Sequence, residues 1–168
     1  MRRRELVVGA AGLAALAGGA YTHRGGTIAN GRQPAHDPIT FETVAGDSIT
    51  VPDPERPLFV DRFATTCRVC REQLPALRTA AAELGDAVAF VSITAEQPAV
   101  IDDPTIRTWW DDHGGPWPVV RDDDWSFARH YRQATPTAVL FDAAGRIRWE
   151  HTGRKSADQV IERGRAVA

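Results

Sequence analysis

The chain has 168 residues, of which 43% are apolar and 25% are charged, and its formal net charge is −2. This length suits one globular domain with a leader, and the apolar content is too high for a disordered chain. The small negative charge offers no basic footprint for nucleic acid, so no nucleic-acid partner is predicted. Two cysteines are too few for a domain stapled by several disulfides. The pair therefore indicates redox chemistry or half of a metal site.

The first 20 residues have the three parts of an export signal. Three arginines precede an apolar stretch over 6–20, which ends in small residues. The stretch is shorter than the about 20 residues that a membrane span needs. Arg3-Arg4-Glu5-Leu6-Val7 also resembles the twin-arginine signature. We therefore expect residues 1–20 to export the protein from the cytoplasm, whether they are then removed or stay as a membrane anchor.

The folded domain is expected over 39–168. Residues 21–38 are polar, rich in glycine and proline and without periodicity, which predicts a flexible tether. Two short β-type runs, 39–44 and 48–51, flank Ala45-Gly46-Asp47 and predict an N-terminal hairpin.

Downstream, apolar runs of strand length alternate with helical patterns. The predicted strands cover 58–63, 87–93, 117–120, 137–141 and 147–150. The predicted helices cover 67–84, from 102–104 to the glycines at 114–115, 124–131, and from 156–158 to 167. This order predicts an α/β domain whose last two strands add an antiparallel edge.

The motif Cys67-Arg68-Val69-Cys70 directly follows a predicted strand and opens a predicted helix. Unpaired backbone N–H groups and the helix dipole favour negative charge at such a position. The nucleophilic thiolate of Cys67 is therefore favoured, and Arg68 and Arg71 add cations in the same turn. Cys70, one turn further along, is expected to be more buried and to act as the resolving thiol.

Two residues distant from the motif complete the predicted centre. Asp61 lies in an apolar strand, where a carboxyl is costly unless it is neutral, paired or hydrated. With a raised pKa it would be able to take a proton from Cys70. Pro136 stands at the start of a strand, and a cis bond after Thr135 would set its backbone beside the cysteines, where a substrate can pair with it.

Phe59-Val60-Asp61, the two cysteines, Pro75 inside the helix and Thr135-Pro136-Thr137 together resemble the thioredoxin fold. Pro75 is expected to kink its helix. The N-terminal hairpin, a helix–strand insert around 102–121 and the leader are more similar to the TlpA/ResA branch, whose members are exported reductants. The resemblance implies a central mixed sheet flanked by helices over 39–168.

The resemblance also implies thiol–disulfide exchange without a cofactor. It assigns catalytic roles to Cys67, Cys70, Asp61 and Pro136, and we expect the substrate to contact Thr66, Arg68, Val69 and Thr135. The expected partners are protein thiols or disulfides and a second redox protein, with the chain a monomer that meets the membrane only through its N-terminal segment.

Two departures from the family pattern leave open how the rim of the active site meets its partners and what the reduction potential is. Thr66 stands where the family usually has tryptophan, and Arg68-Val69 replaces the Gly-Pro of thioredoxin. The arginines favour an oxidising pair, whereas the likeness to TlpA favours a reducing one.

The cysteine pair also admits functions other than thiol–disulfide exchange. A zinc site needs four ligands, and the five histidines are scattered. A Sco-like copper chaperone would hold Cu(I) between the cysteines, although its cysteines normally have three residues between them. A purely structural disulfide across so short a loop would constrain little. Asp122-Asp123-Asp124 is interpreted as a solvated turn with a helix cap rather than as a calcium site.

Overall fold

The structure is a computed structural model that describes residues 36–131 and 134–168. The predicted export signal at 1–20 and nearly all of the predicted tether lie outside these residues. No helix in the described part of the chain is long and apolar enough to cross a membrane.

The described residues form an N-terminal hairpin, a central sheet and three α-helices. The hairpin strands are β1 (Ile39–Glu42) and β2 (Ser48–Val51). The sheet strands are β3 (Leu58–Phe63), β4 (Ala89–Thr94), β5 (Val119–Arg121), β6 (Thr137–Phe141) and β7 (Ile147–Thr152). The helices are α1 (Arg68–Leu84), α2 (Asp103–His113) and α3 (Ala157–Arg165).

The five-stranded sheet has the order β5-β4-β3-β6-β7. Strands β3, β4 and β5 are parallel, and β6 and β7 add an antiparallel edge. The hairpin is attached to the edge of the sheet formed by β5, where the N–H of Val44 donates to the carbonyl of Val119 (2.9 Å). The predicted mixed α/β fold, with its hairpin and its α2–β5 insert, is confirmed.

Strand β3 lies at the centre of the sheet and is buried along its whole length. Because side chains alternate along a strand, its residues divide between two apolar cores. Phe59 and Phe63 pack in the core that contains Cys70, on the side of α1, whereas Leu58 and Val60 pack in the core on the opposite face. Asp61 therefore shares the face that contains Cys70.

Helix α1 carries the cysteine motif at its beginning. Cys67 is its N-cap residue, and Gly85 ends it with a positive φ of 53°. The helix runs continuously through Pro75, whose carbonyl accepts a hydrogen bond from the Thr79 hydroxyl (3.2 Å).

The helix predicted over 124–131 is wrong, because this segment forms turns. The Asp122 carboxylate accepts the backbone N–H groups of Phe127 (2.9 Å) and Ala128 (2.8 Å), and Asp124 accepts that of Ser126 (2.9 Å). These side-chain bonds compete with the helical hydrogen-bond ladder. The left-handed backbone of Trp125, at φ 61°, also interrupts a regular helix.

Candidate active site

Cys67 and Cys70 form a disulfide, with an S–S distance of 2.03 Å and a Cα–Cα distance of 5.2 Å. Cys70 is 1% exposed, whereas Cys67 is partly exposed. The backbone N–H of Cys70 donates to the sulfur of Cys67 (3.1 Å). Because this N–H is one of the unpaired donors at the helix start, it also stabilises negative charge on that sulfur once the pair is reduced.

The loop before the motif is held by Glu96, which follows β4. Its carboxylate accepts the N–H of Thr65 (2.9 Å), the hydroxyl of Thr65 (2.7 Å) and the hydroxyl of Thr94 (2.9 Å). Charge-assisted hydrogen bonds of this kind are stronger than those between neutral groups. Glu96 therefore fixes the approach of the chain to Cys67, a contact that no local sequence pattern indicated.

Asp61 is 1% exposed, and its contacts come from distant parts of the chain. The Gln73 amide nitrogen donates to its Oδ1 (3.0 Å), and the Lys155 Nζ lies 3.2 Å from the same oxygen. The other oxygen, Oδ2, is buried and has no hydrogen-bond partner among the described residues. One half of this carboxylate is thus firmly held, while the other half can still accept a proton.

Burial acts on both charges of this pair. It raises the pKa of the Asp61 carboxyl, and the Lys155 charge and the hydrogen bonds from Lys155 and Gln73 oppose that rise. Burial also lowers the pKa of Lys155, against the attraction of Asp61. Both pKa values therefore move towards the range in which a proton can be exchanged near neutral pH.

The predicted cis bond is present between Thr135 and Pro136. Pro136 is buried and Thr135 is exposed. Because Arg62 pairs with Thr137 across the antiparallel β3–β6 ladder, Pro136 lies beside the end of β3, from which the chain leads to Cys67. The Pro136 carbonyl accepts the N–H of Gly153 (2.8 Å).

The residues expected to contact substrate lie in two segments at this end of the sheet. Thr66 and Val69 are exposed beside the cysteines, Val69 by 40%. Arg68 is also exposed and forms an ion pair with Glu72 (2.7 Å). Thr135 belongs to the second segment. Exposure leaves all four side chains accessible to a partner protein.

Sequence reasoning missed Gln73 and Lys155. Gln73 stands three residues after Cys70, which places both on one helix face, but a glutamine in a helix draws no attention by itself. Lys155 did carry a signal, since it is the only lysine in a chain whose other cationic side chains are arginines.

Within residues 36–131 and 134–168, no group of three or more His, Cys, Asp or Glu side chains is placed to hold a metal ion.

The family model described as Redoxin matches residues 38–164. The thioredoxin-like protein YneN of Bacillus subtilis is 23% identical over 128 residues, which cover 74% of this chain and 75% of that protein. The structure of StoA from Bacillus subtilis matches with a TM-score of 0.67 and 20% identity, over 77% of this chain and 98% of that one.

A secreted disulfide oxidoreductase of Mycobacterium tuberculosis, described as homologous to DsbE of Escherichia coli, matches with a TM-score of 0.64 and 21% identity. The match covers 76% of this chain and 95% of that one. At such identities the structural likeness shows the fold, and the family model shows the family. These findings do not favour the copper-chaperone alternative. The chain belongs to the Redoxin family and is a thiol–disulfide oxidoreductase with its cysteine pair at Cys67 and Cys70.

Proposed function

We propose that the protein reduces disulfides of other proteins outside the cytoplasm, with Cys67 as the attacking thiol and Cys70 as the resolving thiol. The observation that carries this proposal is the cysteine pair at the start of α1, with the buried Asp61 carboxyl on the same face of the sheet. The secreted relative from Mycobacterium tuberculosis supports the extracytoplasmic location.

In the first step the Cys67 thiolate attacks a sulfur of the substrate disulfide. A mixed disulfide forms between Cys67 and the substrate, and the other substrate sulfur leaves as a thiolate. Cys67 suits this role because it is the partly exposed member of the pair and caps the helix with its sulfur. The helix N-terminus lowers the free energy of the thiolate relative to the thiol.

In the second step Cys70 attacks the Cys67 sulfur. The Cys70 proton passes to Asp61, the Cys67–Cys70 bond forms, and the bond to the substrate breaks with its electron pair on the substrate sulfur. The raised pKa of the Asp61 carboxyl matches it to this transfer, since a base is most effective when its pKa lies near the working pH. The two thiols carry both electrons, so no cofactor takes part.

The segment of the exposed Thr135 and the buried Pro136 supplies the other side of the substrate site. An extended substrate segment can pair with this backbone next to the disulfide, while Thr66, Arg68 and Val69 contact its flanks. The domain acts as a monomer and receives its electrons from a second redox protein. The membrane is contacted only through residues 1–20.

The reduction potential of the cysteine pair tests the direction. Free thiols are alkylated across a series of thiol/disulfide buffers, and the oxidised fraction is counted by mass. A value near about −270 mV, as in thioredoxin, supports a reductant that needs an electron donor. A value near about −120 mV, as in the oxidant DsbA, overturns the reducing direction.

The export signal has its own test. Residues 1–38 are fused to a reporter that is active only when it is exported in folded form, and Arg3 and Arg4 are both replaced by lysine in a matched fusion. We expect export of the first fusion and its loss in the second, because the twin-arginine pathway reads the paired arginines. Equal export of both fusions would contradict the twin-arginine assignment.

A further inference from the structure

Lys155 lies between β7 and α3, and its side chain is 0% exposed. Lysine is among the residues least often fully buried, because its ammonium group loses hydration unless it is paired. Ser156, the next residue, caps α3 with a side-chain hydrogen bond to the N–H of Gln159 (3.2 Å). The position of Lys155 is therefore fixed by the start of a helix.

The contacts of Lys155 close a ring with Asp61 and Gln73. Its Nζ lies 3.2 Å from Asp61 Oδ1, and its backbone N–H donates to Gln73 Oε1 (3.4 Å). The Gln73 amide nitrogen in turn donates to Asp61 Oδ1 (3.0 Å). Both groups that contact Asp61, the Lys155 Nζ and the Gln73 amide nitrogen, reach Oδ1, and Oδ2 has no hydrogen-bond partner among the described residues.

The Lys155 ammonium also reaches the substrate side of the site. Its Nζ donates to the Gly153 carbonyl (3.3 Å), and the N–H of Gly153 donates to the Pro136 carbonyl (2.8 Å). A single peptide residue thus separates Lys155 from the Thr135–Pro136 segment.

Lys155 is the charged side chain that faces Asp61 within the described part of the chain. The strand neighbours of Asp61 are Ser92 in β4 and Ala138 in β6, and both are uncharged. Helix α1 contributes the neutral Gln73. Arg62, the next residue of β3, points to the opposite face of the sheet.

We propose that Lys155 is a positioning residue which keeps the Asp61 carboxylate ionised, with Oδ2 ready for the Cys70 proton, and ties it to the Thr135–Pro136 segment through Gly153. This inference rests on the roles of Cys70 and Asp61 in the proposed function. Asp61 takes the proton as Cys70 attacks Cys67, and the electron pair of the broken mixed disulfide leaves on the substrate sulfur. The Lys155 ammonium keeps its own proton throughout.

The charge of Lys155 is needed because burial by itself favours the protonated form of Asp61. A carboxyl that already holds a proton cannot accept one from Cys70. Burial raises the pKa of Asp61, and Lys155 is the largest influence that lowers it again. Loss of the ammonium therefore moves the working range of Asp61 to higher pH.

The test follows the two steps separately with a symmetric nitrobenzoate disulfide as the substrate. Attack by Cys67 releases the first coloured thiolate, and attack by Cys70 releases the second, so stopped-flow absorbance resolves two phases. For Lys155→Met we expect the pH midpoint of the second phase to rise by about one unit or more, and the phase to slow about tenfold below that midpoint. A second phase with the wild-type pH profile would overturn the proposal.

A matched control removes a cation that has no contact with Asp61, Gln73 or Lys155 in the structure. Arg163→Met makes the same change on an exposed position of α3, and both phases should keep their wild-type pH profiles. A shift as large as that of Lys155→Met would show a general charge effect and overturn the specific one.

The double variant Asp61→Asn/Lys155→Met keeps the test decisive if Lys155→Met does not fold. It removes both charges of the pair and leaves no unpaired ion in the interior. Because Lys155 acts through Asp61, the double variant should have the same second phase as Asp61→Asn alone. A further slowing of the second phase by the lysine replacement would overturn the proposal.

The link to the Thr135–Pro136 segment has a separate readout. A peptide disulfide can pair with the backbone of that segment, whereas the nitrobenzoate disulfide cannot. Lys155→Met should raise KM about threefold for the peptide alone, in line with the loss of one hydrogen bond behind the segment. An unchanged KM for the peptide would overturn this part of the proposal.

These outcomes are distinct from a failure of the proposed function. If the wild-type protein releases only one thiolate, Cys70 does not resolve the mixed disulfide and the proposed mechanism fails as a whole. If the wild type shows both phases and Lys155→Met has the same pH profile, the inference about Lys155 fails alone.

Discussion

Two buried carboxylates belong to the central sheet, Asp61 within β3 and Asp122 directly after β5, and their surroundings differ. Asp122 is 0% exposed, and both of its oxygens accept hydrogen bonds, Oδ1 from Phe127 N–H and the Ser126 hydroxyl and Oδ2 from Ala128 N–H. Asp61 is just as buried, but its bonds converge on one oxygen and leave Oδ2 without a partner. Both oxygens of Asp122 are thus occupied by hydrogen-bond donors, whereas Asp61 Oδ2 can still accept a hydrogen bond or a proton.

The cations beside these two acids differ as well. Arg62 faces Asp122. Burial lowers the pKa of the Arg62 guanidinium, and the charge of Asp122 opposes that lowering. Arginine stays protonated in proteins, so the guanidinium of Arg62 keeps its charge. Asp61 faces a lysine, whose pKa burial lowers. The comparison teaches that burial of a charge does not by itself mark a functional site, whereas a vacant acceptor beside a titratable partner does.

Asp122→Asn tests whether Asp122 serves the stability of the fold rather than the reaction. The variant replaces a buried carboxylate that faces Arg62 and turns an amide towards the N–H groups of Phe127 and Ala128, so we expect the free energy of unfolding to fall by about 3 kcal/mol. Urea denaturation monitored by tryptophan fluorescence measures the loss. The rate of disulfide exchange per folded molecule should stay at the wild-type value, and a comparable loss of rate would erase the distinction between the two acids.

Asp61→Asn tests whether Asp61 is the proton acceptor in the second step. Removal of the proton acceptor should slow the second phase of thiolate release about a hundredfold near neutral pH, since a positioned general base typically contributes at least that much. The first phase should change little, because Cys67 is activated by the start of α1. Stopped-flow measurements separate the two phases, and equal slowing of both would argue against a role in the second step.

The pH dependence of the second phase distinguishes Asp61 from Asp122. Only the ionised Asp61 carboxylate can accept a proton, so the second phase should accelerate as pH rises through the pKa of Asp61. Burial raises that pKa, which places the midpoint above the ordinary value of 3.8. The profile is measured from acid to neutral pH in the wild type and in Asp122→Asn. The two profiles should agree, and a shifted midpoint in Asp122→Asn would connect the two carboxylates.

Glu96→Gln tests a third carboxylate, which is only half-buried, and we expect it to change stability and rate less than the other substitutions do. The half-buried Glu96 holds the loop before Cys67 through its bonds to Thr65 and Thr94. The amide can replace only part of these bonds, so we expect a loss of stability of about 1 kcal/mol and a first phase that slows about threefold. The second phase should keep its pH midpoint. A shift of that midpoint would mean that Glu96 takes part in the proton transfer.

The fold was largely predictable because its signals are local. Apolar runs marked the buried strands, and Asp102 with Pro104 marked the start of α2, where Asp102 accepts the N–H of Thr105 (2.9 Å). The segment over 124–131 was not predictable from helical spacing. Its backbone donors bond to the carboxylate of Asp122, which competes with a helix only after the chain has folded around it.

The candidate site also contains residues that the sequence indicates and residues that only the fold brings together. Cys67, Cys70 and Asp61 could be picked out because the cysteine spacing and an acid in an apolar strand are visible in the sequence. Gln73 and Lys155 could not be connected to Asp61, since Lys155 lies far along the chain and comes near only through the sheet order β3-β6-β7 and the packing of α3 beside α1. Sequence shows which groups are unusual, and tertiary packing decides which of them meet.

The most direct test is the titration of the Asp61 carboxyl itself, followed by carbon NMR in the oxidised and the reduced protein. If Asp61 takes the proton of Cys70, its carboxyl should titrate above the ordinary range, and its midpoint should differ between the two redox forms because the charge beside it changes. An Asp61 carboxyl that titrates in the ordinary range, or with one midpoint in both forms, would contradict its role as the proton acceptor of the cysteine pair.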